Sequence, residues 1–235
     1  MKSKIENIMG GCLLGLVLIA SFYLNLETDN VQASKTFENN KDSSFVVVVD
    51  AGHGGFDPGK VGINNELEKD INLSIAIKVK EKLEEKNITV IMTRTEDTDL
   101  SDGTSSSKKT SDMKKRITII NEAKADACIS IHQNSYTSKE VKGAQVFFYS
   151  KSDNGKKLAE MIQESLKETL NDGNNRKEKA NDNYYMLLKS ECTSVIVECG
   201  FLSNWEDATN LKDEFYQDKV AEAICSAVER FLLNI

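Results

Sequence analysis

The 235-residue chain contains only two histidines, His53 and His132. Any chemistry that needs imidazole must use one or both of them. Each follows an apolar run: VVVVDAGHGG carries His53 and ACISIHQN carries His132. Borderline metals favour imidazole, and a catalytic zinc takes three protein ligands and leaves a fourth position to water. Two histidines and a glutamate form such a set. The candidate glutamates are Glu66, Glu68 and Glu198. Glu198 closes the run Ser194-Val195-Ile196-Val197, and a carboxylate there is costly unless it is paired, metal-bound or functional. Glu68 also reads as an acid at the start of a helix, where the helix dipole favours it. Residue types alone leave open which glutamate binds and which reacts.

Other chemistries fit less well. Gly54 to Lys60 satisfies the GxxxxGK spacing of a phosphate-binding loop, but Val61 stands where Ser or Thr should hold magnesium, and no helix pattern begins there. Cys128 precedes His132 by four residues and Cys199 follows Glu198. A thiol buried in a sheet is inert, so both read as small core side chains. Five cysteines are too few for a disulfide scaffold. The net charge of −7 is opposite to what phosphate neutralisation needs, which argues against a nucleic-acid partner.

These residues need a frame to bring them together. Residues 45–50 (FVVVVD) form a continuous β-branched run, as in a strand buried on both faces. Ile71, Ile75, Val79 and Leu83 recur every four residues after Glu68, the stripe of an amphipathic helix. Strands are predicted at 88–93, 127–132, 144–149 and 193–198, with a short one at 184–188. Helices are predicted at 113–124, 158–170 and 220–233. Polar loops are predicted at 95–110 and 171–182. Alternation of this kind predicts a three-layer αβα sandwich on a mainly parallel, twisted sheet, with ligands at the carboxyl ends of the strands. His53, His132 and Glu198 all fall at that edge.

At the amino end, Lys2 and Lys4 precede an uncharged stretch, residues 7–26, rich in Leu, Ile and Val. A positive flank before an apolar run is a targeting signature. Residues 1–26 are therefore expected to be an apolar targeting helix. It is either a signal peptide cleaved near Val31-Gln32-Ala33 or an anchor retained in the membrane. Both readings put the folded part outside the cytoplasm. Residues 27–44 read as a polar linker, and 45–235 as a single catalytic domain.

Six ordered segments carry a resemblance. They are Val49-Asp50-Ala51-Gly52-His53-Gly54-Gly55, then Glu68 to Leu73, then Thr93-Arg94, then Arg116 to Ala123, then Ser130 to Asn134, then Val197 to Asn204. Together they resemble the zinc-dependent N-acetylmuramoyl-L-alanine amidase family, in order and across the whole predicted domain. The resemblance implies a Zn²⁺ cofactor on His53, Glu68 and His132. It implies Glu198 as the catalytic base, taking a proton from water and returning it to the departing amine of L-alanine. Asp50 or Asn134 is expected to orient a ligand histidine through its second ring nitrogen. The implied substrate is peptidoglycan, cut between the lactyl group of N-acetylmuramic acid and the stem peptide. The layout, an apolar segment and one domain with no wall-binding repeats, resembles sporulation-linked members that modify spore cortex. The 95–110 loop lacks the long autoinhibitory helical insertion of some members, so any restraint is expected to come from another protein. A zinc peptidase acting within a wall peptide and a non-catalytic wall-binding domain are the alternatives.

Overall fold

In a computed structural model of the chain, residues 45–102 and 107–234 can be described. The expected targeting helix (residues 1–26) and linker (27–44) lie outside these residues. Among the described residues no helix is long and apolar enough to cross a membrane.

The chain alternates strand and helix. It runs through β1 (Val46–Ala51), α1 (Glu68–Glu85), β2 (Thr89–Met92), α2 (Lys108–Glu122), β3 (Ala127–Asn134) and β4 (Gln145–Phe148). It continues through α3 (Asp153–Leu170), β5 (Lys179–Ala180), α4 (Tyr185–Lys189), β6 (Thr193–Phe201), α5 (Trp205–Lys212) and α6 (Glu214–Leu232). The strands form one sheet in the order β2-β1-β3-β6-β4-β5. Every neighbouring pair is parallel except β4 and β6.

Helices cover both faces, which is why the central strands carry apolar residues on both sides and do not alternate strictly. On one face Val47, Val49, Ile129, Val195 and Val197 pack against α1, α3 and α6. On the other, Val48 and Cys128 pack against Ile120 of α2 and Met186 of α4, while Phe147 and Ile196 pack against Leu187. The three-layer arrangement follows from this division.

Several boundaries move, each for a local reason. The 184–188 segment is the helix α4, not a strand. The amides of Leu188 and Ser190 bond back to the carbonyls of Tyr184 and Met186, four residues earlier, so the segment closes its own helical turns instead of pairing with a strand. The Asn181 side chain opens the turn by accepting the amides of Asn183 and Tyr184. The helix expected at 113–124 starts at Lys108, because Ser107 caps it by accepting the Thr110 amide. Ser152 caps α3 in the same way, so that helix starts at Asp153. The final helix expected at 220–233 starts earlier, at Glu214, and a further short helix, α5, precedes it. Asn204 caps α5, and Asp213 ends α5 and caps α6. The 171–182 turn contains the short strand β5, which pairs with Phe147 and Phe148.

One buried polar cluster ties the carboxyl end of β1 to its surroundings. Asp50 is fully buried, and its carboxylate accepts hydrogen bonds from Thr93 Oγ1 (2.7 Å), Ser130 Oγ (2.6 Å) and Arg116 Nη1 (2.7 Å). Burial works against the Asp50 charge, but Arg116, Ser130 and Thr93 more than offset it and hold the carboxyl below its ordinary range. Removing one partner of a buried pair strands the other charge, at a cost of about 3–5 kcal/mol. Arg116→Ala is therefore expected to lose about that much stability in urea or guanidinium unfolding. A loss near zero would show that the pair does not hold the β1 end in place.

Candidate metal centre

The sheet register sets two of the site residues side by side. His132 on β3 is the Cα partner of Glu198 on β6, so both side chains leave the same face at the same level. His53 comes from the turn after β1, and its backbone has a φ of 61°, in the left-handed region. That conformation is strained for a residue with a Cβ. It is held from below. Arg116 Nη2 donates to the His53 carbonyl at 2.6 Å, and Arg94 donates to the carbonyls of Ala51 (2.9 Å) and Gly52 (3.0 Å). Asn72 Nδ2 also donates to the Gly52 carbonyl, at 3.0 Å.

Glu68 is the first residue of α1 and lies between the histidines. Its Oε1 is 3.2 Å from His53 Nε2 and 2.9 Å from His132 Nδ1. The Gln133 amide donates to the same oxygen at 3.2 Å, and the Lys60 amide donates to Oε2 at 2.8 Å. Burial alone would raise this carboxyl. The hydrogen bonds and charge of His132 and His53 dominate and hold it well below the ordinary carboxylate range. Desolvation opposes a charged His132, yet Glu68 raises its pKa on balance.

One ligand atom from each of His53, Glu68 and His132 lies within 4.8 Å of the other two, so the group can hold a metal ion. The glycines around it leave room for these side chains. A Cβ on Gly52 would sit 2.3 Å from the His132 ring, and one on Gly59 would sit 2.5 Å from Glu68 Oε2. Two imidazoles and one carboxylate are the donors of an open zinc site.

Glu198 stands apart from this trio chemically. It is 7% exposed, and its Oε2 is a buried oxygen with no hydrogen-bond partner among the described residues. Desolvation, with some repulsion from Glu68, pushes its carboxyl up to about 7 against the pull of His132. Tyr184 lies beside it, and burial together with the Glu198 charge raises the Tyr184 hydroxyl to about 12. A carboxyl poised near neutrality, with an unsatisfied oxygen, is suited to proton transfer.

The expected orienting residues do not fill that role. Asp50 spends its oxygens on Thr93, Ser130 and Arg116, and Asn134 Oδ1 accepts its neighbour's amide from Ser135. Both are bonded elsewhere because they face the supporting arginines or turn back on their own backbone. The partner of His53 Nδ1 is Asp57, at 2.9 Å, itself paired with Lys109 Nζ at 3.1 Å. The signal for it in the sequence was an acid four residues after His53, inside the segment with phosphate-loop spacing. That segment serves the site: Asp57 meets His53, Gly59 makes room for Glu68, and the Lys60 amide bonds Glu68. The roles of Arg94 and Arg116 were equally illegible, although both lie within the quoted motifs.

The comparisons agree with this geometry. The sequence profile of the N-acetylmuramoyl-L-alanine amidase family matches residues 47–230. A germination-specific N-acetylmuramoyl-L-alanine amidase of Bacillus subtilis (strain 168) is 40% identical over 192 residues, 80% of this chain and 80% of that protein. The CwlD amidase of Clostridioides difficile, solved in complex with the GerS lipoprotein, superimposes with a TM-score of 0.79 at 36% identity, over 82% of this chain and 100% of that one. The amidase AmiC2 of Nostoc punctiforme superimposes with a TM-score of 0.72 at 32% identity, over 80% and 97% of the two chains. The fold, the His-Glu-His cluster and the span of the match together show that this chain belongs to the N-acetylmuramoyl-L-alanine amidase family.

Proposed function

We propose that the chain is a zinc-dependent peptidoglycan amidase that cleaves between the lactyl group of N-acetylmuramic acid and L-alanine of the stem peptide. The observation that carries this reading is the juxtaposition of two unlike parts. One is a His53-Glu68-His132 cluster able to hold a metal, and the other is a neighbouring Glu198 with an unpartnered buried oxygen. A pure binding module has no use for an unsatisfied carboxylate beside a metal cluster, since such a group costs stability. The peptidase alternative differs only in which amide is cut, and the family supports the amidase.

His53 would bind zinc through Nε2, because Asp57 occupies Nδ1. Glu68 and His132 would complete the protein ligands. Bound there, zinc supplies Lewis acidity that polarises a carbonyl and acidifies a water. The remaining work falls to the chain. Glu198 takes the proton from the attacking water and delivers it to the departing amine of L-alanine. Burial raises this carboxyl above its ordinary range, which suits a group that both accepts and returns a proton. The buried walls around Glu198 keep bulk water from competing for that proton.

The wider setting is part of the same reading. The similarity to a germination-specific amidase and to CwlD supports spore cortex as the wall acted upon. The GerS complex of CwlD supports a protein activator for this chain too. Lys2, Lys4 and the uncharged residues 7–26 support an extracytoplasmic location, membrane-anchored or secreted. Domain limits of 45–235 for the catalytic part accord with the profile match at 47–230.

Mass spectrometry of peptidoglycan digested with the zinc-loaded protein tests the central reading. The product should carry a free L-alanine amine, and release of an internal stem amine would favour the peptidase. Chelation should abolish activity and zinc should restore it. His53→Ala, His132→Ala and Glu68→Ala should each lose stoichiometric zinc by metal analysis. Full zinc in any of the three would remove that residue from the ligand set.

Glu198→Gln preserves size but removes the proton acceptor. It should keep its zinc and lose about 10²–10⁴-fold in turnover. Loss of zinc instead would make Glu198 a ligand. Asp57→Asn should weaken zinc affinity by about 10–100-fold in a chelator competition, because His53 loses the carboxylate that fixes its ring. An unchanged affinity would mean the His53–Asp57 contact does not orient the ring.

A further inference from the structure

The row of site residues on the sheet does not stop at Glu198. On its other side β6 pairs with β4, and the Cα partner of Glu198 there is Gln145. Directly opposed residues of an antiparallel pair share a face. His132, Glu198 and Gln145 therefore form one row. Gln145 Oε1 accepts a hydrogen bond from Arg176 Nη1 at 3.3 Å. The same guanidinium donates from Nε to the Lys142 carbonyl at 2.8 Å and lies 4.6 Å over the Phe201 ring. Phe201 pairs with Asn134 across a bulge, which returns it to the face of His132 and Glu198.

Arg176 is thus held in place by two neutral oxygens and an aromatic ring, and it makes no ion pair among the described residues. It also lines an open cavity of about 410 Å³. Three of the four acids on that cavity wall are engaged elsewhere, Glu140 being the fourth. Glu206 pairs with Lys142, Asp207 accepts the amides of Gly143 and Phe201, and Asp172 accepts the amide of Asn174. A fixed, half-buried guanidinium with no anionic partner, one side chain beyond the catalytic carboxylate, presents a fork that fits a carboxylate.

The chemistry says which part of the substrate lies there. In the amidase reading, on which this inference rests, the acyl carbonyl faces the metal cluster and the departing amine faces Glu198, which protonates it. The peptide continuing from that amine then extends away from the histidines, towards β4. We infer that Arg176 is a specificity-determining residue that receives the free α-carboxylate of the stem residue following L-alanine. Its contribution is to position the peptide, with the amide bond aligned between the metal cluster and Glu198.

The test compares two muramoyl-tripeptides that differ only at the D-glutamyl residue after L-alanine, one with a free α-carboxylate and one with an α-carboxamide. With the zinc-loaded full chain, kcat/KM should favour the carboxylate by about tenfold, the order expected for a charge-assisted hydrogen bond at a partly exposed site. In Arg176→Gln that ratio should fall to about one, and in Arg176→Lys it should be intermediate, since a lysine keeps the charge but loses the fork. Equal use of both substrates by the unsubstituted protein overturns the inference without needing any variant to fold. An undiminished ratio in Arg176→Gln overturns it as well. Hydrolysis of neither compound would instead overturn the amidase reading itself.

Discussion

The structure depends on how the backbone is held at the end of β1. Asp50, Arg116 and Arg94 are each at most 3% exposed, and they lie beneath a turn in which His53 takes a left-handed conformation. The cost of that conformation is met by carbonyl contacts. Arg116 binds the oxygens of Ala51 and His53, and Arg94 binds those of Ala51, Gly52 and Lys69. The arginines would be expensive to bury without a counter-charge, which Asp50 supplies to Arg116. Four elements are joined by this cluster, because Thr93 follows β2, Arg116 lies on α2 and Ser130 on β3. Strain at the site and a buried charge network beneath it are thus parts of one arrangement.

That arrangement makes the metal cluster intelligible. A helix N-terminus, a strained turn and a strand end deliver Glu68, His53 and His132 from points far apart in the sequence. No single element could present three donors converging on one point. The Arg94 contact to the Lys69 carbonyl also links the β1 turn to the first turn of α1, so the placement of His53 and that of Glu68 are not independent. The histidines hold Glu68 in the ionised form that a metal requires, and backbone amides from Lys60 and Gln133 orient its carboxylate.

Glu198 and Glu68 show how one site can give two carboxylates opposite tendencies. Glu68 is surrounded by donors and is held ionised, whereas Glu198 is desolvated, with one oxygen left without a donor, and is pushed towards neutrality. Their environments separate their roles, one suited to ligation and one to proton transfer. The small helix α4 contributes to this difference. It covers the Phe147–Ile196 part of the face, and Tyr184, just before it, stands against Glu198. Beyond Glu198 the face turns polar again at Gln145 and Arg176, which marks where a charged substrate would be received.

The alternation of strands and helices, the burial of the sheet on both faces and the edge at which the chemistry gathers are all legible in the amino-acid order. This is so because these features follow from local periodicity: Val46–Val49 and Val195–Val197 are apolar throughout, Ile129–Ile131 is interrupted only by Ser130, and α1 repeats its apolar residues every four positions. The same order also supplied His53, His132 and Glu198 as candidates, since ionisable residues at the ends of apolar runs stand out. The partners of these residues emerge from the folded chain alone. Asp57, and not Asp50 or Asn134, meets His53, because the turn after His53 folds back on itself while Asp50 faces Arg116. Arg176 reaches the row of His132 and Glu198 only because β4 runs antiparallel beside β6, a pairing that no local pattern encodes. The register between strands and the paths of tight turns are long-range properties. They depend on which distant side chains pack, and so they become visible only once the chain is folded.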